Sequence, residues 1–460
     1  MKTIVLALIL LSAVPGKRIP DSVTWENICK TEPELEVIGK VKVAEPDPNS
    51  LFSLCCACED RDYGKFSEYK PYLHDLGCGR FRVVSGWAKT EKKAGEYSFG
   101  WMDEIIDGLH EEGITPWVTL AYGNPVYSGE YGLNSKIFGD GPAMDAWLEY
   151  VKAYATRYKG KVSMYEVWNE PNSKKKNNTP ASYANLYIRT VELIRSIDPD
   201  VKFAALSLVW STREPFTSEF LEIMKKQGKL DLIDYITFHP YNGNPDWPES
   251  QILSLRKTID GYSDRIQMFQ GENGAPAALE FKYALSEVEW TEYSQAKWRV
   301  RRMVCDFYLG IISTVFSIAD IQYPDVINSK GLIRTDKKNR AKYIRPSYYT
   351  VANTASILKP SMKAAHNVTV KAVGSERPLR SCGIEENGKI VGAIYWYGDG
   401  RPDDKLTREM YELEVSGAKF RNPVLVDPYT GRVFKMEKKG KLPVWDCPLF
   451  IFERNSVDFE

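Results

Sequence analysis

Two carboxylates close apolar, strand-like runs about a hundred residues apart. Glu170 ends the stretch Tyr165-Glu166-Val167-Trp168-Asn169-Glu170-Pro171-Asn172, and Glu272 ends Met268-Phe269-Gln270-Gly271-Glu272-Asn273-Gly274. Carboxyl groups at the C-terminal ends of two different strands suit the cleavage of a glycosidic bond, one acting as proton donor and the other as nucleophile or base. A general acid at neutral pH needs a raised pKa, which a neighbouring ionised carboxylate supplies by disfavouring a second negative charge. Glu170 is therefore expected to carry the proton. Glu272 is expected to stay ionised and attack the anomeric carbon.

Other residues fit the same chemistry. His239-Pro240-Tyr241 ends a further strand-like run and offers a ring nitrogen and a phenol to hold the charge on Glu272. Asn169 is placed to hydrogen-bond a sugar hydroxyl, an interaction that strengthens in the transition state. In a regular strand Glu166, Trp168 and Glu170 share one face, with Glu166 deeper than Glu170; bending at Asn169-Glu170-Pro171 would break that phase. Arg80 and Arg82 also share a strand face, where Arg82 either supports the site or simply neutralises a buried acid.

The positioning elements are legible as alternation of short apolar runs with helical patterns between residues 50 and 345, the signature of repeated strand–helix units. Candidate strands lie at residues 51–57, 80–85, 115–121, 163–168, 202–207, 235–239, 267–270 and 313–318. That makes eight, the number a closed (β/α)8 TIM barrel requires. Met102, Ile105, Ile106 and Leu109 form a helical stripe that Gly113 ends, and residues 293–309 form another before Gly310. Long polar loops at 123–141 and 242–250 follow strands, where barrels of this kind keep their chemistry.

After about residue 346 the pattern changes to short strands at 366–373, 389–397, 410–415, 423–426, 432–436 and 449–452, with turn punctuation between them. The fold class is thus α/β, a (β/α)8 barrel over residues 46–345 with a C-terminal all-β sandwich over 346–460. Residues 17–45 form an N-terminal segment whose alternating run at 35–43 is a candidate strand of the β domain.

Lys2, the apolar residues 4–11 and the small residues that follow read as a signal peptide at residues 1–16, because the run is too short to span a bilayer as a helix. A secreted or periplasmic protein is expected. Lysine plus arginine equal aspartate plus glutamate at 61 each, so there is no electrostatic footprint for nucleic acid or an anionic membrane. A neutral small molecule or polysaccharide suits that balance better, and 27 tyrosines and 12 tryptophans could supply the flat faces that a carbohydrate partner needs, although most such rings belong to the core. Eight cysteines in 460 residues are too sparse for a disulfide framework. Cys55, Cys56 and Cys58 read as core thiols rather than a zinc site, while Cys382 and Cys447 are candidates to pair in an oxidising compartment.

With Asn-Glu-Pro on strand four, His-x-Tyr on strand six and Glu on strand seven, the chain resembles the clan A retaining glycoside hydrolases. It is most similar to glycoside hydrolase family 39, the family of β-xylosidases and α-L-iduronidases, over residues 46–460. The resemblance implies Glu170 as acid/base and Glu272 as nucleophile, with Asn169, His239 and Tyr241 in support. It also implies a covalent glycosyl-enzyme intermediate, carboxyl groups roughly 5–5.5 Å apart, and no metal or organic cofactor.

The chain departs from the family at Gly271-Glu272-Asn273, where Thr-Glu-aromatic is usual, and at Ser85-Gly86-Trp87, where His-Gly is common. Trp87, Tyr122, Asn124 and Tyr127 are the candidate glycone and aglycone contacts, and structural roles compete for each. The expected function is an exo-acting β-glycosidase. An endo-acting polysaccharide hydrolase, transglycosylation by the same residues and a non-catalytic carbohydrate-binding protein are the alternatives. The β domain reads as a structural support or a homo-oligomer contact ahead of a sugar-binding module.

Overall fold

The computed structural model describes residues 19–23, 28, 34–209, 215–437 and 440–460. The signal segment expected at residues 1–16 and Cys29 lie outside the described residues.

Eight parallel strands close into a barrel in chain order: β1 (Phe52–Cys55), β2 (Arg80–Val84), β3 (Thr115–Leu120), β4 (Met164–Val167), β5 (Lys202–Val209), β6 (Tyr235–His239), β7 (Gln267–Asn273) and β8 (Ile312–Val315). Each overlaps the run expected from sequence, and β8 returns to pair with β1. Helices α1 (Gly100–Glu111), α2 (Pro142–Arg157), α3 (Pro180–Ile197), α4 (Phe216–Lys226), α5 (Glu249–Asp260), α6 (Glu292–Tyr308) and α7 (Pro346–Ile357) follow β2 to β8 in turn.

Local chemistry sets these helices. Proline stands in the first turn of α2, α3 and α7, where its missing N–H costs nothing. Thr179 and Ser182 exchange side-chain and backbone hydrogen bonds at the start of α3, and Thr291 and Ser294 do the same for α6, satisfying donors that a helix start leaves open. The expected apolar stripe of α1 is buried at Met102, Ile105, Ile106 and Leu109.

Inside the barrel, side chains from alternate positions fill two levels. The lower level is apolar, with Trp117, Met164, Ala204 and Phe269 packed together. Two residues further along the strands the inward positions turn polar: Arg82 on β2, Thr119 on β3, Glu166 on β4 and Thr237 on β6, all fully or almost fully buried. The fold thus delivers charge to the C-terminal mouth and closes the barrel beneath it.

Residues 346–357, between the barrel and the first strand expected in the β domain, are helical. Helix α7 is buried on nearly every side, packed against α6, so it carries no polar stripe to reveal its period. Beyond it a seven-stranded antiparallel sheet runs Val37–Lys40, Arg432–Lys435, Pro423–Asp427, Leu449–Glu453, Lys389–Trp396, Arg380–Glu386 and Met362–Ala365 in spatial order. Two-stranded ribbons accompany it, completing the sandwich. Its first strand, Val37–Lys40, comes from the segment before the barrel. Cys382 and Cys447 do not pair: both are buried free thiols, as are Cys55, Cys56 and Cys58.

Helix α6 is the seam between the two parts. Lys297, fully buried, reaches Asp403 at 2.9 Å and Asp446 at 2.6 Å. Arg301 holds Asp246 in the loop after β6, and its Nη1 donates to the Gly400 carbonyl at 2.7 Å. Among the described residues no helix is long and apolar enough to cross a membrane.

Candidate active site

Arg82 lies at the centre of the mouth, with its side chain 2% exposed. Its Nη2 donates to Glu166 Oε2 at 2.6 Å and to Asn169 Oδ1 at 2.9 Å, while Nη1 donates to Glu272 Oε2 at 2.9 Å. Burial works against the guanidinium charge, but Glu166 and Glu272 more than offset it and hold the pKa well above the ordinary arginine value. Glu166 also accepts from Thr119 at 2.6 Å and from Thr237 at 2.5 Å. These donors, with the charges of Arg82 and His239, outweigh its complete burial and keep its pKa below the usual glutamate range. So placed, Glu166 is an ionised counter-charge beneath the site.

The backbone after β4 explains how Glu170 arrives there. Trp168 and Glu170 both adopt left-handed conformations, with φ of 66° and 52°, which ends the strand alternation. Trp168 leaves the barrel axis and packs its ring against Trp147 and Phe138. Glu170 turns inward, with Oε1 3.0 Å from His239 Nδ1. The other ring nitrogen, Nε2, lies 3.1 Å from the Ser207 hydroxyl, so His239 is oriented at both ends.

Glu272 comes from the irregular end of β7, where the pairing with β8 shifts between Gln270 and Asn273. The preceding Gly271 is needed for close approach: a Cβ there would stand 3.3 Å from Thr237 Cβ and 3.4 Å from His239 Nε2. Glu272 Oε1 accepts from the Tyr241 hydroxyl at 2.6 Å, and its Oε2 lies 3.9 Å from His239 Nδ1. A single imidazole nitrogen therefore faces both carboxyl groups.

Glu170, Glu272, Arg82, Asn169, Tyr241 and Tyr122 line one cavity of about 230 Å³. A larger groove, about 980 Å³, runs where residues 42–45 meet 355–361 and 454–459, and neither carboxylate reaches it. Among the described residues no three or more His, Cys, Asp or Glu side chains are gathered as ligands of a metal would be.

The proton distribution differs from the sequence expectation. Burial does oppose the charge on Glu170, but the hydrogen bond to His239 and the positive charges of His239, Lys176 and Arg82 outweigh it, so its pKa is lowered rather than raised. A neighbouring carboxylate alone would raise it; the surrounding positive charges reverse the direction. Lys176, buried in the loop after Glu170, donates to the Asn169 carbonyl at 3.1 Å, and burial brings its own pKa down to about 8 against the pull of Glu170.

Of the residues expected to touch sugar, Tyr122 reaches the cavity and Trp87, Asn124 and Tyr127 do not. They gather around Glu91 instead. Trp87 Nε1 donates to its carboxylate at 2.6 Å, the Tyr127 hydroxyl at 2.5 Å, and Asn124 Nδ2 to its carbonyl at 2.8 Å. The ring of Trp87 is fully buried, stacked on Tyr127 at 5.4 Å. Residues that the pattern did not single out, Arg61, Lys176, Ser207 and Tyr323, come from loops or from a bulged strand. Ser207 faces the site because Leu206 and Ser207 take φ of 78° and 40° where β5 slips register against β6; no period-2 pattern carries that signal.

Comparison with solved structures gives the same architecture. A family 39 glycoside hydrolase from the gut symbiont Bacteroides cellulosilyticus WH2 aligns at a TM-score of 0.66 with 17% identity, over 90% of this chain and 83% of that one. A monomeric beta-xylosidase from Caulobacter crescentus CB15 aligns at 0.57 with 15% identity, over 90% and 97% of the two chains. At these identities the likeness is one of fold. In sequence, aryl-phospho-beta-D-glucosidase BglA of Bacillus subtilis (strain 168) is 27% identical over 125 residues, 26% of this chain, and the match spans only 25% of that relative's length. Residues 80–364 match the family described as Glycosyl hydrolases family 39. That match runs from β2 through the barrel mouth into the first strand beyond α7 and takes in more than half of the chain, which therefore belongs to glycosyl hydrolase family 39.

Proposed function

We propose that the protein is a retaining, exo-acting β-glycosidase in which Glu272 is the nucleophile and Glu170 the acid/base. The observation that carries this reading is the convergence of the two carboxyls on one cavity, with cationic and phenolic donors on Glu272 and an imidazole on Glu170. Arg82 and Tyr241 fix Glu272 as an oriented anion. In the first step it bonds to the anomeric carbon as the glycosidic C–O bond breaks, and Glu170 gives its proton to the departing oxygen. In the second step Glu170 takes a proton from water, which bonds to the anomeric carbon and releases Glu272.

The low pKa of Glu170 favours the second step, and esterification of Glu272 removes a negative charge and lowers it further. The first step then draws on the protonated fraction, so activity is expected on the acidic side. The small cavity supports attack at a chain end, one reacting ring at a time. The apolar run at residues 4–11 supports export, with action on saccharides outside the cytoplasm.

Release of nitrophenol from α- and β-linked aryl xylosides, glucosides, galactosides, arabinosides and fucosides tests the reading, with Glu272→Gln as control. Turnover of a β-glycoside that vanishes in the control, with the anomeric configuration of the first product retained by NMR, is the expected result. Inverted product or turnover that survives Glu272→Gln overturns the mechanism. Silence across the panel with retained sugar binding favours a binding protein.

A further inference from the structure

The geometry points to a second sugar-binding subsite, a tyrosine platform on the β8 side of the mouth that receives the ring attached to the distal end of the glycone. This rests on the glycosidase reading above and refines its exo action: the unit released from the chain end is two rings rather than one. The platform is made by Tyr63 after β1, Tyr283 after β7 and Tyr323 after β8. Tyr283 stacks on Tyr323 with ring centroids 4.5 Å apart at 25°, and Tyr323 meets Tyr63 at 5.1 Å. Tyr283 and Tyr323 line the same cavity as Glu170 and Glu272, yet Tyr283 remains 39% exposed, with Phe281 at 73% beside it in the loop.

Exposed aromatic surface beside a catalytic cavity is usually there for a ligand. Here the backbone is held in strain to present it. Tyr283, Leu285 and Glu287 all have φ between 62° and 69°, conformations that persist only where surrounding structure enforces them. That enforcement is visible. Buried Glu280 accepts from the Ser329 hydroxyl at 2.7 Å, the Glu287 amide donates to the Glu280 carbonyl at 2.7 Å, and Trp290 Nε1 donates to the Leu285 carbonyl at 3.1 Å. The Gln322 amide donates to the Tyr63 carbonyl at 2.9 Å, and Lys282 pairs with Asp325, so the three loops are tied to one another.

A polar edge completes the surface. Arg61, 8% exposed, also lines the cavity, and its guanidinium carbon lies 5.5 Å from the Tyr63 ring centroid. Its Nε is taken by Asp60 at 3.0 Å, while among the described residues its Nη groups meet no acceptor. Flat apolar faces beside free guanidinium donors match a pyranose ring, which presents C–H faces and a rim of hydroxyls.

Topology decides which ring it receives. In the eight-stranded closed barrel β8 stands diametrically opposite β4, and β4 delivers Glu170. The leaving group departs on the side of its proton donor. The platform therefore faces the distal end of the glycone, and the cavity of about 230 Å³ lies below the usual range for ligand pockets, about 300–1,000 Å³, so any second ring rests at the rim rather than inside.

The test uses the full chain with two pairs of probes: nitrophenyl β-xyloside against β-xylobioside, and nitrophenyl β-glucoside against β-cellobioside. For the sugar that is cleaved, kcat/KM on the bioside is expected to exceed that on the monoside by about tenfold, one good stacking contact. Tyr283→Ala is expected to bring the ratio close to one. Calorimetric binding of both probes to Glu272→Gln reads the platform without turnover. Equal kcat/KM for the two probes, or a bioside preference that survives Tyr283→Ala, overturns the platform. Bioside-preferring binding that depends on Tyr283, in a protein that cleaves nothing, keeps the platform and removes the catalytic reading.

Discussion

Arg82 bridges two carboxylates that do different things: Nη2 is 2.6 Å from Glu166, which is wholly buried, and Nη1 is 2.9 Å from Glu272, which faces the cavity. One guanidinium thus ties the structural charge beneath the site to the proposed nucleophile. Arg82→Met leaves Glu166 as an uncompensated buried charge, a loss expected to destabilise the fold by about 3–5 kcal/mol. Adding Glu166→Gln should recover much of that stability and none of the activity, because Glu272 still lacks its cation. Denaturant unfolding of the single and double variants, beside their aryl glycoside turnover, separates the two roles.

The hydroxyl of Tyr241 makes a charge-assisted hydrogen bond to Glu272 at 2.6 Å, of a kind worth about 1.5–3 kcal/mol. Tyr241→Phe removes it and keeps the ring. A fall in kcat of about 10–100-fold is expected, with KM changed little and the unfolding midpoint near that of the parent. A variant that loses KM and keeps kcat would assign Tyr241 to ground-state binding instead.

Much of this arrangement is legible in the chain. The eight apolar runs fix the barrel because a parallel barrel buries both faces of every strand, and Arg82 and His239, which lie on those strands, follow from it, whereas Glu170 and Glu272 take their direction from the bend after β4 and the register shift of β7. Loops lack that constraint. Trp87, Asn124 and Tyr127 follow strands β2 and β3 just as Tyr122 does, yet Glu91 draws all three into a structural cluster, and nothing in their spacing announces it. Lys176 and Arg61 escape for the same reason, as loop cations whose placement depends on long-range packing against Tyr122, 5.6 and 5.3 Å from its ring.

Lys176 gives a prediction about pH. Its charge is one of those holding the Glu170 pKa below its ordinary value, so Lys176→Met should let that pKa rise. If protonated Glu170 is the required acid, the alkaline limb of kcat/KM moves to higher pH in the variant; an unmoved limb assigns it to another group. Stability offers a second readout. The folded pKa of Lys176 is about 8, against about 10.4 unfolded, so between those values the unfolded chain binds more protons and this group makes stability rise with pH. Lys176→Met should remove that slope.

Leaving-group chemistry tests Glu170 directly. Glu170→Ala is expected to cost about 10²–10⁴-fold on substrates whose leaving group needs a proton and much less on a dinitrophenyl glycoside, whose leaving group departs as a stable anion. Since water then lacks its base, the intermediate should accumulate, and added azide should restore turnover and give a glycosyl azide of retained configuration. Equal losses on good and poor leaving groups would assign the proton to a different residue.

Asp246 carries the remaining prediction, since it joins the sandwich to the loop that holds Tyr241. It is 3% exposed and accepts from Trp396 Nε1 at 2.9 Å and from Arg301 Nε at 2.9 Å, with Arg380 Nε 3.2 Å away. Trp396 and Arg380 belong to the sandwich, Arg301 to α6. Neighbouring loop atoms are held as well: the Asn242 carbonyl by Trp298 at 3.0 Å and the Pro245 carbonyl by Arg302 at 2.6 Å. Tyr241 is held too, its amide donating to the His239 carbonyl at 3.0 Å and its hydroxyl to Glu272. Trp396→Phe deletes one bond to Asp246 and shrinks a buried indole to a phenyl ring, so about 1–3 kcal/mol of stability should be lost with the bond and more with the space left behind. If the sandwich also steadies Tyr241 on Glu272, kcat falls in Trp396→Phe but not further when the same change is made in Tyr241→Phe, because coupled residues fail to add. Additive effects in that cycle would confine the sandwich to stabilising the barrel.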